Sequence, residues 1–144
     1  FYTGLTRVEH IIDDNIEQLS NDQNSVELTH KLKENCLQFK NALLSSNFDA
    51  MDLLLQDNWN TKKKLSNKIT TAKIDQMYNF GIDNGMKSGK LCGAGGGGHI
   101  LFLCDQFANM SGWIHSIEKF QELHHGCCMV PYSFVNHGVE TWSQ

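Results

Sequence analysis

The sequence predicts an α+β domain, helices layered on a small antiparallel sheet, and three observations carry that expectation. Apolar residues recur every three or four positions through residue 85, the period then shortens around a run of glycines, and a single helical stretch follows before short apolar runs near the C-terminus.

Val8, Ile11, Ile12, Ile16 and Leu19 fall on one face of a helix between Thr6 and about Ser20, with a break over 21–25. Asn24 and Glu27 have the spacing of a capping box for a second helix, striped by Leu28, Leu32, Cys36, Phe39 and Leu43. Ser46-Asn47 caps a third, whose stripe is Phe48, Met51, Leu55, Trp59 and Leu65. Lys62, Lys63 and Lys64 fall in its last turns, where cations suit the partial negative charge of the carbonyl ends. Thr70 or Thr71 caps a fourth helix carrying Ile74, Met77, Tyr78 and Ile82, with Gly85 placed to end it. The N-terminal half is therefore helix-rich.

Lys90-Leu91-Cys92 and Ile100 to Cys104 read as strands on either side of the glycines. A helix from Ser111 to about His124 comes next, stopped by Gly126, then two short strands at 128–135 and 139–142 joined through Asn136-His137-Gly138. Val130, Tyr132 and Phe134 alternate along the first of these, so one face is expected to pack inward. Pro131 cannot donate to a ladder and places that strand at an edge or a bulge.

The 144 residues suit one domain, and 12 Lys+Arg against 16 Asp+Glu give a net charge of −4 with the seven His neutral. That balance excludes a bulk electrostatic drive toward nucleic acid, Lys62-Lys63-Lys64 being the one basic run. The longest apolar stretch, Ile100 to Cys104, is far short of the ~20 residues a membrane span requires, and no signal segment is visible. Five cysteines, Cys36, Cys92, Cys104, Cys127 and Cys128, are odd in number and irregular in spacing. They read as reduced thiols in a cytoplasmic protein. The opening Phe1-Tyr2-Thr3-Gly4, without an initiator Met, reads as part of a longer protein.

Gly93-Ala94-Gly95-Gly96-Gly97-Gly98 is the most informative segment. Backbone without side chains can turn through positive φ and bring several N–H groups to a phosphate, or bring the chain against another backbone. The run matches G-x-G-x-x-G, but a dinucleotide fingerprint needs a helix directly after it, and here a strand follows. It also has the glycine spacing of a Walker loop, with His99-Ile100 where Lys-Ser/Thr should stand. Four consecutive glycines cost more chain entropy than a turn needs, so close backbone approach is the expectation.

Trp59, Lys62, Lys63 and Ser66 lie at helical spacings that allow a sugar-phosphate contact, against the simpler reading of a solvated lysine face. Arg7, opening a helix after a strand end, could reach a phosphate with both guanidinium nitrogens or form a surface ion pair. His124-His125 and Cys127-Cys128 have zinc-type chemistry but the wrong spacing, and no metal site is expected. His99 reads as a cover on a strand end rather than a proton carrier.

The segment Gly89 to Leu103, Gly-Lys-Leu-Cys-Gly-Ala-Gly-Gly-Gly-Gly-His-Ile-Leu-Phe-Leu, resembles the third motif of the GHMP small-molecule kinases. Phe1 to Arg7, Trp59 with Lys62 to Ser66, Ile74-Asp75, Tyr78 and Val139 to Trp142 are similar to segments of the heptose kinase branch. His99 departs from that pattern, where an apolar aromatic is commoner, as does Met86-Lys87-Ser88, where smaller residues are usual.

The resemblance implies that residues 1–144 are one C-terminal domain, a ferredoxin-like antiparallel sheet covered by helices, cut from a two-domain kinase. It implies transfer of the γ-phosphoryl group of ATP to the anomeric hydroxyl of a sugar phosphate such as D-glycero-D-manno-heptose 7-phosphate. Gly93, Ala94, Gly95, Gly96, Gly97 and Gly98 would line the acceptor side of the cleft or brace the main phosphate loop. Arg7, Trp59, Lys62 and Lys90 are the candidate substrate contacts. ATP and Mg²⁺ belong to the full-length enzyme, with none bound by this segment alone, and no residue here is assigned a catalytic role. The partners implied are the N-terminal kinase domain and the sugar phosphate, with no nucleic acid and no membrane. The rival expectation is a non-catalytic ferredoxin-like binding or dimerisation module, since fold alone does not decide function.

Overall fold

The computed structural model describes residues 1–6, 12–13, 16–17, 22–105, 110–135, 138 and 141. Among these, four helices accompany a two-stranded antiparallel sheet: α1 (Gln23–Leu44), α2 (Phe48–Lys63), α3 (Ala72–Asp83), β1 (Met86–Leu91), β2 (Ile100–Cys104) and α4 (Met110–Leu123). The α+β class expected from the sequence is what the chain adopts. Most of the helix expected over 6–20, and all but Thr141 of the strand expected over 139–142, lie outside the described residues.

The helix starts follow from short polar side chains that accept the orphan N–H groups of a first turn. Asp22, not Asn24, caps α1: its carboxylate accepts from the N–H of Asn24 at 3.2 Å and of Ser25 at 3.0 Å. The Ser25 hydroxyl donates to it at 2.6 Å, the chief reason its carboxyl sits below the usual range. The buried face of α1 is Ser25, Asn35 and Ala42, one position off the expected Cys36 and Leu43, which are exposed. Asn47 Oδ1 caps α2 through the Ala50 N–H at 3.1 Å, and Met51, Leu55 and Trp59 are buried along it. Phe48, at the first helical position, is 65% exposed and so leaves the stripe. Thr71 caps α3 through the Ile74 N–H at 3.3 Å, and Ile74 and Met77 face inward.

β1 and β2 pair from Leu91 opposite Ile100 to Met86 opposite Cys104, with a bulge between Met86 and Ser88. Beyond β2 the N-terminal segment continues the layer: Ile100 donates to the Phe1 carbonyl at 2.8 Å, and Thr3 to that of Gly98 at 2.9 Å. Cys128 closes its far side, exchanging backbone hydrogen bonds with Tyr2 at 2.7 and 3.1 Å. The Phe102 ring lies across both Gly89 and Gly81, where an added Cβ would stand 2.6 and 2.5 Å from ring carbons. Glycine inside α3 is thus the space that lets the sheet's aromatic reach the helix. Trp59, Ile69, Ile74, Met77, Leu91, Ile100, Phe120 and Cys127 form the core between these layers.

The strand expected over 128–135 does not form. Cys128 makes a single bridge, and Tyr132 and Phe134 are 82% and 92% exposed, their rings in edge contact with each other at 5.7 Å. Alternation identifies a strand face only where a neighbour supplies the ladder, and Pro131 removes a donor from this one. Among the described residues no helix is long and apolar enough to cross a membrane.

Candidate functional site: the glycine loop

The loop joining β1 to β2 is closed at its base by the Cys92 N–H, which donates to the His99 carbonyl at 2.8 Å. Gly95, Gly96 and Gly97 are buried between two other stretches of chain. On one side Gly96 donates to the Ile69 carbonyl at 2.9 Å; a Cβ on Gly95, at φ +131°, would lie 2.8 Å from the Ile69 Cα. On the other, Gly98 donates to the Leu5 carbonyl at 2.9 Å, and a Cβ on Gly97 would lie 2.6 and 2.7 Å from the carbonyl oxygens of Leu5 and Thr6. The close approach expected of these glycines is therefore to the protein's own backbone. The N–H groups of Ala94, Gly95 and Gly97 take no acceptor among the described residues.

Helix α2 holds the entrance to this loop. Lys62, in its last turn, donates through Nζ to the Gly93 carbonyl and approaches that of Leu91 at 3.5 Å. Burial, and next the Lys90 ammonium, push its pKa down to about 8, against an opposing pull from Cys92. Lys62 is thus half-buried on carbonyl oxygens, which corrects the solvated-face reading. One turn earlier, Asn58 Oδ1 accepts from Lys90 Nζ at 2.7 Å. Asn58 Nδ2 donates to Asn35 Oδ1 of α1 at 3.1 Å, and Asn35 Nδ2 donates to the Leu54 carbonyl at 3.0 Å. Asn35 and Asn58 are both buried, so this chain of amides carries the position of Lys90 back to two helices.

The other expected residues fall elsewhere. Trp59 is 0% exposed and sits in the core, 6.0 Å from the Tyr78 ring, with Lys63 Nζ 5.4 Å from its own ring centre. A wholly covered indole cannot touch a sugar phosphate, so Trp59 is corrected from candidate contact to packing residue. Ser66 is buried, its Oγ accepting from the Lys68 N–H at 3.2 Å. Arg7 lies outside the described residues. His99 is exposed, its ring 5.1 Å from that of Tyr2. Cys127 is buried and donates through Sγ to the His124 carbonyl at 2.9 Å, burial raising its pKa, while Cys128 pairs with Tyr2.

Among the described residues no three His, Cys, Asp or Glu side chains converge on one point. A shallow groove of about 730 Å³ between α3 and α4, lined by Asp75, Asn79, Phe80, Lys119 and His124, draws on none of the loop residues. Asn35 and Asn58 are the site residues that sequence reasoning missed. Their signal was available: Asn58 precedes Lys62 by four residues, adjoins Trp59, and stands three and four residues after Leu55 and Leu54 on the same helix.

Comparison with known proteins bears on this geometry. The family model described as GHMP kinases C terminal matches residues 39–111, which include the whole loop, Lys62 and Lys90. The D-glycero-alpha-D-manno-heptose 7-phosphate kinase of Campylobacter jejuni subsp. jejuni serotype O:2 is 29% identical over 142 residues, 99% of this chain. The chain spans 40% of the length of that relative.

Proposed function

This chain belongs to the GHMP kinase C-terminal family, and from that premise we propose that it is the acceptor-side domain of an ATP-dependent sugar kinase. Its substrate would be a sugar phosphate of the D-glycero-D-manno-heptose 7-phosphate class, phosphorylated on the anomeric hydroxyl. The anomeric oxygen bonds to the γ-phosphorus, the bond from phosphorus to the β–γ bridging oxygen breaks, and ADP leaves. The hydroxyl proton goes to a base on the N-terminal domain of the longer polypeptide, which would also hold the nucleotide and its Mg²⁺.

The observation that carries the reading is the glycine loop itself, fixed on both flanks yet with the Ala94 N–H unspent. Phosphoryl transfer asks the protein mainly to position groups and to meet developing charge with donors that need not reorganise. A rigid loop with N–H groups left over, beside the ammonium groups of Lys62 and Lys90, suits that task. Residues 1–144 would act as one domain of a cytoplasmic enzyme and contribute half of its cleft.

The test is ADP release by the full-length polypeptide offered heptose 7-phosphate, galactose, fucose or mevalonate, with the 144-residue chain as control. Release with heptose 7-phosphate by the full-length protein, and none by the chain alone, is the expected result. Silence with every acceptor overturns the kinase reading in favour of a binding module.

A further inference from the structure

Lys62 touches the loop at one particular peptide unit. The carbonyl that accepts from its Nζ is that of Gly93, and this carbonyl shares a planar peptide with the Ala94 N–H. No described peptide bond is cis, so the C=O and N–H of that unit point in opposite directions. Fixing the Gly93 oxygen on α2 therefore turns the Ala94 N–H away from α2. Gly93, at φ +78° and with no Cβ to limit its ψ, does little to set this plane by itself. Two peptide planes away on either side there are other holds: the Leu91–Cys92 unit is tied to His99 through the Cys92 N–H, and the Gly95–Gly96 unit to Ile69 through the Gly96 N–H. The Gly93–Ala94 plane has Lys62.

We propose that Lys62 is a positioning residue: it locks the Gly93–Ala94 peptide so that the Ala94 N–H is presented, without an internal acceptor, to the phosphoryl group in transfer. The assignment of that group as phosphoryl rests on the kinase reading; the lock itself does not. Lys62 does not touch substrate and acts through the peptide it holds. The charged and titratable groups facing it are Lys90 from β1 and Cys92 at the loop entrance. Neither is a carboxylate, so an ammonium near pH 8 loses its charge, and weakens its hold on the carbonyl, within an accessible range.

The experiment compares the full-length protein with Lys62→Met and Lys62→Arg, reading two signals across pH 7 to 9.5. The first is ADP release with heptose 7-phosphate. Lys62→Met should lose about 100-fold in kcat, the order expected for a misplaced catalytic group, with a smaller change in acceptor KM. Wild-type kcat should fall above about pH 8, the pKa of Lys62, and Lys62→Arg should retain most of kcat and lack that fall. The second signal is the ¹⁵N resonance of Ala94 in selectively labelled protein, which should titrate in the same range in the wild type and stay flat in Lys62→Arg. An alkaline fall shared by Lys62→Arg, or an undiminished kcat in Lys62→Met, overturns the proposal. If no acceptor supports turnover, the kinase reading fails and the Ala94 resonance alone decides the lock: a titration present only in the wild type upholds it, and its absence overturns it.

Discussion

Gly97 packs so closely on Leu5 that a Cβ built on it would stand 2.6 Å from the Leu5 carbonyl oxygen. Gly97→Ala forces either the loop or the N-terminal segment to move, an overpacking that costs about 1–3 kcal/mol. Hydrogen exchange over residues 1–6 should quicken in Gly97→Ala. Exchange unchanged from wild type would mean that the contact carries no weight.

The Asn35–Asn58–Lys90 chain should behave as one unit. Asn58→Ala strands Asn35 Oδ1 and frees the half-buried Lys90 ammonium, at a cost of about 1–3 kcal/mol for the buried Asn35 oxygen left without a donor. Asn35→Ala combined with Asn58→Ala should then cost less than the sum of the single changes, by about 0.5–3 kcal/mol. Urea denaturation of the four proteins in the cycle measures this, and simple additivity would break the chain.

Trp59 buries an indole Nε1 that finds no hydrogen-bond partner among the described residues. Trp59→Phe removes that orphan donor while keeping most of the ring, so the two effects offset and stability should stay within about 1–2 kcal/mol of wild type. Trp59→Ala, which opens the core, should cost about 3–5 kcal/mol. Thermal unfolding of both variants checks the ordering; a Phe variant as damaged as the Ala variant would show that the N–H is satisfied after all.

Lys62 has a folded-state pKa of about 8, below its ordinary value of 10.5. Between those two values the unfolded chain binds more protons than the folded one, so this group's contribution to stability rises with pH across that window. Wild-type urea midpoints measured relative to Lys62→Met should therefore climb from pH 8 to 10. The expected loss of turnover over the same range runs the opposite way, which separates a positioning role from a merely structural one. A wild-type margin that falls with pH would contradict the burial of this ammonium.

Much of the helical half was legible because it rests on local rules. Asn47 and Thr71 cap where short polar side chains meet a following apolar period, and Met51, Leu55, Ile74 and Met77 are buried as their spacing requires. What escaped depends on neighbours. The stripe on α1 is set by Asn35 and Ala42 because α2 meets it there, and a pattern of apolar residues does not register a buried amide. Tyr132 and Phe134 alternate as a strand would, yet no ladder reaches them among the described residues. The glycine loop was plain as a place of close approach, whereas Ile69 and Leu5 as the surfaces approached lie far off in sequence. Trp59 read both as core and as contact, and only packing could choose.

The N-terminal segment meets the loop and β2 through contacts separated by 95 and 99 residues, and it is flanked on its other side by Cys128. Such pairings close large loops, with an entropy cost that grows slowly with length, and topologies rich in them fold slowly. On the ribosome, the helices can form as they emerge, but residues 1–5 must wait for residue 100 before the glycines have a wall to pack against. The segment that the sequence marks most plainly is thus the one whose final shape depends longest on synthesis still to come.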